Sequence, residues 1–303
     1  MLKLLFRSPL LDAALFALCL AAASAQAQNP PAPQPSATAS GPQARPNPST
    51  PATNPATKEN DELLAKAAKL YYSTATAGLE GFDCAVHPDW RALFARANKS
   101  IVIAEDDPRI VLLKSVSITL HAHMKGGSTL EWIQAPNPDK PLDEDSTAML
   151  DSMHQATEQT LEGFLQFWTP FIDGSVVPAS SEGLRIETSS KGYTFHAEDK
   201  GTKLTEVFDN SLTLEEFDVA MGTMAIQFTP SYKATDQGML VTSFTARIQA
   251  PAKVPGQAEQ MRVQVEYQAV DGFPVPARIN MEVVDTGIFN FDFDGCRANR
   301  TSK

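Results

Sequence analysis

The sequence predicts an α+β fold: a large curved antiparallel β-sheet, an open half-barrel, covered by one long helix and several shorter ones. Three observations predict it. From Gly183 onward the chain alternates apolar and polar residues in short runs separated by turn residues, a near-continuous β meander. Ser146 to Trp168 instead places Leu150, Met153, Thr157, Leu161, Phe164 and Trp168 at three- and four-residue spacing, which is the stripe of a long amphipathic helix. Helical patterns come early and mid-chain and strands come late, so alternating α/β is excluded.

The first 27 residues read as a signal peptide. Lys3 and Arg7 supply positive charge, Ala13 to Ala23 is an uncharged apolar run, and Ala25-Gln26-Ala27 has small residues where a signal peptidase reads. The run is shorter than the ~20 apolar residues a membrane span needs. A retained anchor is the alternative. Residues 28–58 form a Pro-rich linker with nine prolines and no aromatic or large aliphatic residue, so they cannot bury enough surface to fold. Its length reads either as reach through a cell-wall layer or as an unselected tail. Residues 59–297 form a single α+β domain, and 298–303 a flexible tail.

Within the domain, Asn60 is a candidate N-cap, and Leu63, Leu64, Ala67, Leu70 and Tyr71 mark a helix face that ends near Gly78. Leu79–Val86 is the first strand, and two short helices follow at Pro88–Ala97 and Asp107–Leu113. Ser115–Met124 and Thr129–Gln134 form a hairpin across Gly126-Gly127. The long helix comes next, with Asp143, Glu144 and Asp145 suited to its start and Phe167, Pro170, Phe171 and Ile172 carrying its greasy end into a loop. Nine strands complete the chain: Leu184–Ser189, Gly192–Glu198, Lys203–Phe208, Leu212–Val219, Thr223–Tyr232, Met239–Ala250, Met261–Ala269, Val275–Val284 and Ile288–Phe293. Their short connections force antiparallel neighbours.

Charge narrows the partners. The formal net charge is −11, and removing the signal peptide with Lys3, Arg7 and Asp12 takes it to −12. Such a chain is a poor partner for nucleic acid or anionic lipid headgroups, while a cationic client remains open. After processing, no stable membrane span is expected. Cys84 and Cys296 are the two cysteines left, and export into an oxidising compartment makes a disulfide between them the default reading, with two buried thiols as the alternative.

No catalytic motif stands out, and the chain reads as a non-enzyme without a cofactor. His121 and His123 share a strand face, but no third ligand is in sight and Lys125 is adjacent, so a solvated face is the reading rather than a metal site. Glu215, Glu216 and Asp218, and Glu198 with Asp199, read as acidic surface. Cys84 and His87 resemble a thiol and its base, but Cys296 competes for the thiol. There is no Gly-x-Ser-x-Gly elbow and no Gly-rich phosphate loop. Asn98-Lys99-Ser100 and Asn299-Arg300-Thr301 match the glycosylation sequon.

The remaining signal is apolar. Met149, Met153, Phe164, Phe167, Trp168 and Phe171 crowd the long helix, and Tyr267, Met281 and Phe291 lie on strands that can face it. These nine are the candidate lining of an apolar cavity between sheet and helix, with an ordinary packed core as the alternative.

The stretch Val265-Glu266-Tyr267-Gln268-Ala269-Val270-Asp271-Gly272-Phe273-Pro274-Val275-Pro276-Ala277-Arg278-Ile279 is similar to the late hairpin of the LolA/LolB-type periplasmic lipoprotein carriers, with a strand, an Asp-Gly turn and a proline before the return strand. The order of elements over roughly residues 60–296 resembles that group as well. The resemblance implies a periplasmic carrier that holds a lipid or lipoprotein acyl chain between a half-barrel and its helices. It assigns no ligand-binding residue here. The alternative function is a cell-envelope structural or protein-interaction module.

Overall fold

A computed structural model describes residues 55–95, 103–125, 127–134, 142–249, 259–284 and 287–301. The expected signal peptide, nearly all of the linker and the sequon at Asn98 lie outside them. Five helices and twelve strands are described: α1 Pro55–Ala68, α2 Thr74–Ala77, β1 Leu79–Pro88, α3 Trp90–Ala95, α4 Pro108–Lys114, β2 Val116–His123, β3 Ser128–Gln134, α5 Glu144–Asp173, β4 Arg185–Ser189, β5 Gly192–Asp199, β6 Thr202–Asp209, β7 Leu214–Met221, β8 Met224–Thr235, β9 Gly238–Gln249, β10 Glu259–Val270, β11 Phe273–Val283 and β12 Gly287–Arg300.

All twelve strands belong to one curved antiparallel sheet, ordered β3-β2-β1-β12-β11-β10-β9-β8-β7-β6-β5-β4 and not closed into a barrel. Every neighbour is sequential except one: β1 pairs with β12, bringing the start of the domain against its end. Cys84 and Cys296 sit across that junction with their sulfurs 2.01 Å apart. The expected α+β class and open sheet are what the structure shows.

Alternation decides which side chains face inward. Met261, Val263 and Val265 on β10, Ile279, Met281 and Val283 on β11, and Phe289, Phe291 and Phe293 on β12 are all buried. Helix α5 lies across this inner face and is 30 residues long, which gives about 45 Å. Asp143 caps its start, accepting from Ser146 N–H at 2.7 Å, and Gly174 closes its end in the left-handed conformation at φ 88°.

Four boundaries differ most from the sequence reading. Helix α5 continues through Pro170 to Asp173, in place of the expected loop. Proline there forfeits one backbone bond near the helix end, and the burial of Phe171 and Ile172 in the core offsets that cost. Helix α1 begins at Pro55, inside the expected linker. The helix expected to run to Gly78 breaks at Lys69–Ser73, because Leu70 and Tyr72 bond to Met239 of β9 instead. Strand β12 runs on to Arg300, past the expected strand end at Phe293 and the expected domain end at 297, since Ala298 pairs with Phe82 and Arg300 with Leu79.

Candidate functional site

The apolar stripe of α5 divides into two unlike halves. From Thr160 to Ile172 all but two residues, Glu162 and Gln166, are buried. Phe167 and Phe171 pack on Phe228 at 5.5 and 6.0 Å between ring centroids, and Phe171 stacks on Phe244 at 5.5 Å. Trp168 stands edge-on to Phe82 at 6.4 Å and stacks on Phe164 at 5.5 Å. A ligand-sized space beside these rings would leave them accessible surface. Phe164, Phe167, Trp168, Phe171 and Phe291 retain 2 % or less, and Met281 5 %. These six candidates therefore sit in a filled core.

The first half of α5 is different. Between Glu144 and Gln159 only Leu150 and Thr157 are buried. Met149 and Met153 are half-buried and pack against the core, and on edge strand β3, which α5 contacts, Leu130 and Trp132 are half-buried as well. His154 stacks on Trp132 at 4.9 Å between centroids, and Trp132 meets Trp90 edge-on at 6.1 Å. This end of the trough is apolar, rich in adaptable methionine and aromatic surface, and only half covered. Nearby, a cavity of about 410 Å³ lies between α3, α4 and the ends of β1 and β2, with Val86, Trp90, Leu113 and Ile118 in its wall and Arg91 and Lys114 among its polar groups.

Tyr267, the ninth candidate, joins helix to sheet. Its hydroxyl accepts from Trp168 Nε1–H at 2.8 Å and donates to Val241 O at 2.6 Å. Its ring keeps some accessible surface on a cleft beyond, while burial of the hydroxyl end pushes its pKa up, so it remains a neutral donor and acceptor.

The titratable candidates are dispersed. His121 Nδ1 lies 2.7 Å from Asp83 Oδ1, and its Nε2 is 3.9 Å from Glu131. His87 pairs with Asp294 at 3.2 Å, while Cys84 is bonded to Cys296. Asp218 is pushed up to about 6, chiefly by burial and then by the charge of Glu216. Sequence reading missed Glu206. It is buried on the inner face opposite Phe195 and Phe217, burial raises its pKa well above normal, and its Oε2 has no hydrogen-bond partner among the described residues. Its signal was a glutamate in the apolar alternation of Leu204, Glu206 and Phe208.

No helix among the described residues is long and apolar enough to cross a membrane, and none of their His, Cys, Asp and Glu side chains form a group of three able to hold a metal ion. No protein-family model, curated protein or solved structure matches this chain.

Proposed function

We propose that this is an exported, non-catalytic binding protein of the bacterial periplasm that takes an apolar chain, from a lipid or a lipoprotein, at the half-covered end of its trough. The observation that supports it most is the change in burial along α5. One half is locked into an aromatic core. The other leaves Met149 and Met153 half-buried, on the segment whose His154 stacks on Trp132 of β3. Each methylene buried there contributes roughly 0.8 kcal/mol. The apolar leader at Ala13–Ala23 and the Cys84–Cys296 pair support export, and the LolA/LolB-like order of elements supports a carrier by analogy.

A fluorescent fatty acid titrated into delipidated protein tests the reading. Saturable binding is expected, and Met153→Glu abolishes it while far-ultraviolet circular dichroism stays unchanged. No saturation with the unmodified, folded protein sinks the proposal.

One observation favours the second reading, a protein-interaction module. Edge strand β3 leaves Ile133 53 % exposed. A free strand edge is a template for pairing with another chain. A stoichiometric protein partner recovered from envelope extract without lipid, and lost in Ile133→Lys, selects this reading.

A further inference from the structure

The sheet parts between β9 and β10. Their pairing runs from Glu259 opposite Ile248 to Gln264 opposite Ser243 and stops there. Yet β9 starts at Gly238 and β10 continues to Val270. The cleft between the diverging strands encloses about 650 Å³. Leu240, Thr242, Val265 and Phe273 wall it, and exposed Lys233, Asp236 and Glu266 border it. Gln237 Nε2 donates to Gly272 O at 3.1 Å and ties the two hairpin turns together across one end.

The two edges of the cleft differ. On β9, Met239 N–H donates to Leu70 O at 2.7 Å and Tyr72 N–H donates to Met239 O at 3.0 Å. This is a single parallel bridge, Tyr71 opposite Met239, on the edge that β10 has left. The approach is close: a Cβ on Gly238 would lie 2.7 Å from backbone atoms of Tyr71 and Tyr72. Two residues on, Val241 O is taken by the Tyr267 hydroxyl. On β10 the alternation is fixed by Val284 N–H donating to Gln260 O. Gln260 and every second residue after it face β11, as far as Val270 beside the Asp271-Gly272 turn. The bulge at Glu266/Tyr267 places its extra residue, Ala277, on β11, so the order along β10 is unbroken. Tyr267 and Ala269 therefore turn their backbone N–H and C=O toward the cleft, and the β9 ladder, which ends at Gln264, does not reach them.

We propose that the Tyr267–Ala269 edge of β10 is a docking site for an extended peptide, which completes the interrupted ladder by strand addition. Three observations select this occupant. The open groups are paired backbone donors and acceptors, which a peptide satisfies and a hydrocarbon chain does not. The chain's own Leu70–Tyr72 already docks this way on the opposite edge. Two carboxylates, Asp236 and Glu266, face one ammonium, Lys233, so a basic residue in the peptide is favoured. The site is separate from the open end of α5 and does not depend on lipid binding there.

Amide hydrogen exchange on the labelled protein, with the acetylated and amidated peptide Thr-Val-Lys-Val-Thr as probe, tests it. In the free protein the amides of Tyr267 and Ala269 exchange quickly while that of Gln264, inside the ladder, is protected. Saturating peptide slows the two cleft amides by about tenfold or more. Ala269→Pro removes a cleft-facing N–H that makes no bond to β11, a place where a strand tolerates proline, so the fold survives and peptide binding falls. Cleft amides already protected in the free protein, or a peptide that binds Ala269→Pro as well as the unmodified chain, overturns the proposal. Protection by a fatty acid and not by the peptide overturns it in favour of a lipid cleft.

Discussion

Replacing Tyr267 by Phe removes one oxygen and two hydrogen bonds. The ring stays, so packing against Trp168 at 6.3 Å between centroids is retained. What is lost is the acceptor for Trp168 Nε1–H at 2.8 Å and the donor to Val241 O at 2.6 Å. Trp168 and Val241 are both 0 % exposed, so neither orphaned group finds water without a rearrangement. A buried group left unpaired costs roughly 1–3 kcal/mol. The total is therefore about 3 kcal/mol, with the upper end reached only if the core holds rigid. For a domain of this size each kcal/mol lowers the melting temperature by about 2–4 °C, so a fall of roughly 6–12 °C is expected. Urea unfolding followed by Trp fluorescence measures it, with Trp168→Phe and the double variant closing a mutant cycle. The two single effects should be less than additive, because each breaks the same bond. A Tyr267→Phe variant within about 0.5 kcal/mol of the parent refutes the idea that this hydroxyl fastens α5 to the sheet.

Three further outcomes follow from the same structure. Cys84→Ser opens a loop spanning 212 residues, and chain entropy sets an upper loss of about 5 kcal/mol; reductant should lower the denaturation midpoint of the parent and leave the variant unmoved. Glu206→Met should raise stability, because the native carboxyl is buried with an unpartnered Oε2. Its folded pKa is raised, so the parent's stability is fullest below the unfolded glutamate value and falls as pH rises above it; the advantage of the variant should grow over that range and be smallest in acid, where only the neutral carboxyl's unpaired burial remains. For Asp218, raised from 3.8 to about 6, the contribution is likewise present below 3.8 and lost as pH rises through 6. A carboxyl NMR titration should show a midpoint near 6 that falls when Glu216 is changed to Gln.

Much of the fold was legible because β alternation and short turns are local. Met261 to Val283 announced its strands, its Asp271-Gly272 turn and its buried face from the spacing alone. The long helix was equally legible from Leu150 to Trp168. Its continuation over Pro170 was not, because only contacts with Phe228 and Phe244 make that last turn worth keeping. The candidate site was half legible. Spacing marked Phe164, Phe167, Trp168 and Phe171 as inward-facing, but a residue that fills a core and one that lines a cavity share the same periodicity. Trp132 of β3, on which His154 stacks at the half-covered end of α5, carried no sign of that partnership.

The sequence by itself determined the α+β class, the twelve strands, the long amphipathic helix and the pairing of the two cysteines within the domain, since each depends on residues near one another or on simple counting. Only the tertiary structure decided that β1 closes against β12, that β9 and β10 part company, and that Leu70–Tyr72 leaves its helix to fill one edge of the gap. Those outcomes depend on which distant backbone donors and acceptors meet, and a chain of amide groups that are chemically alike gives no local sign of which will do so.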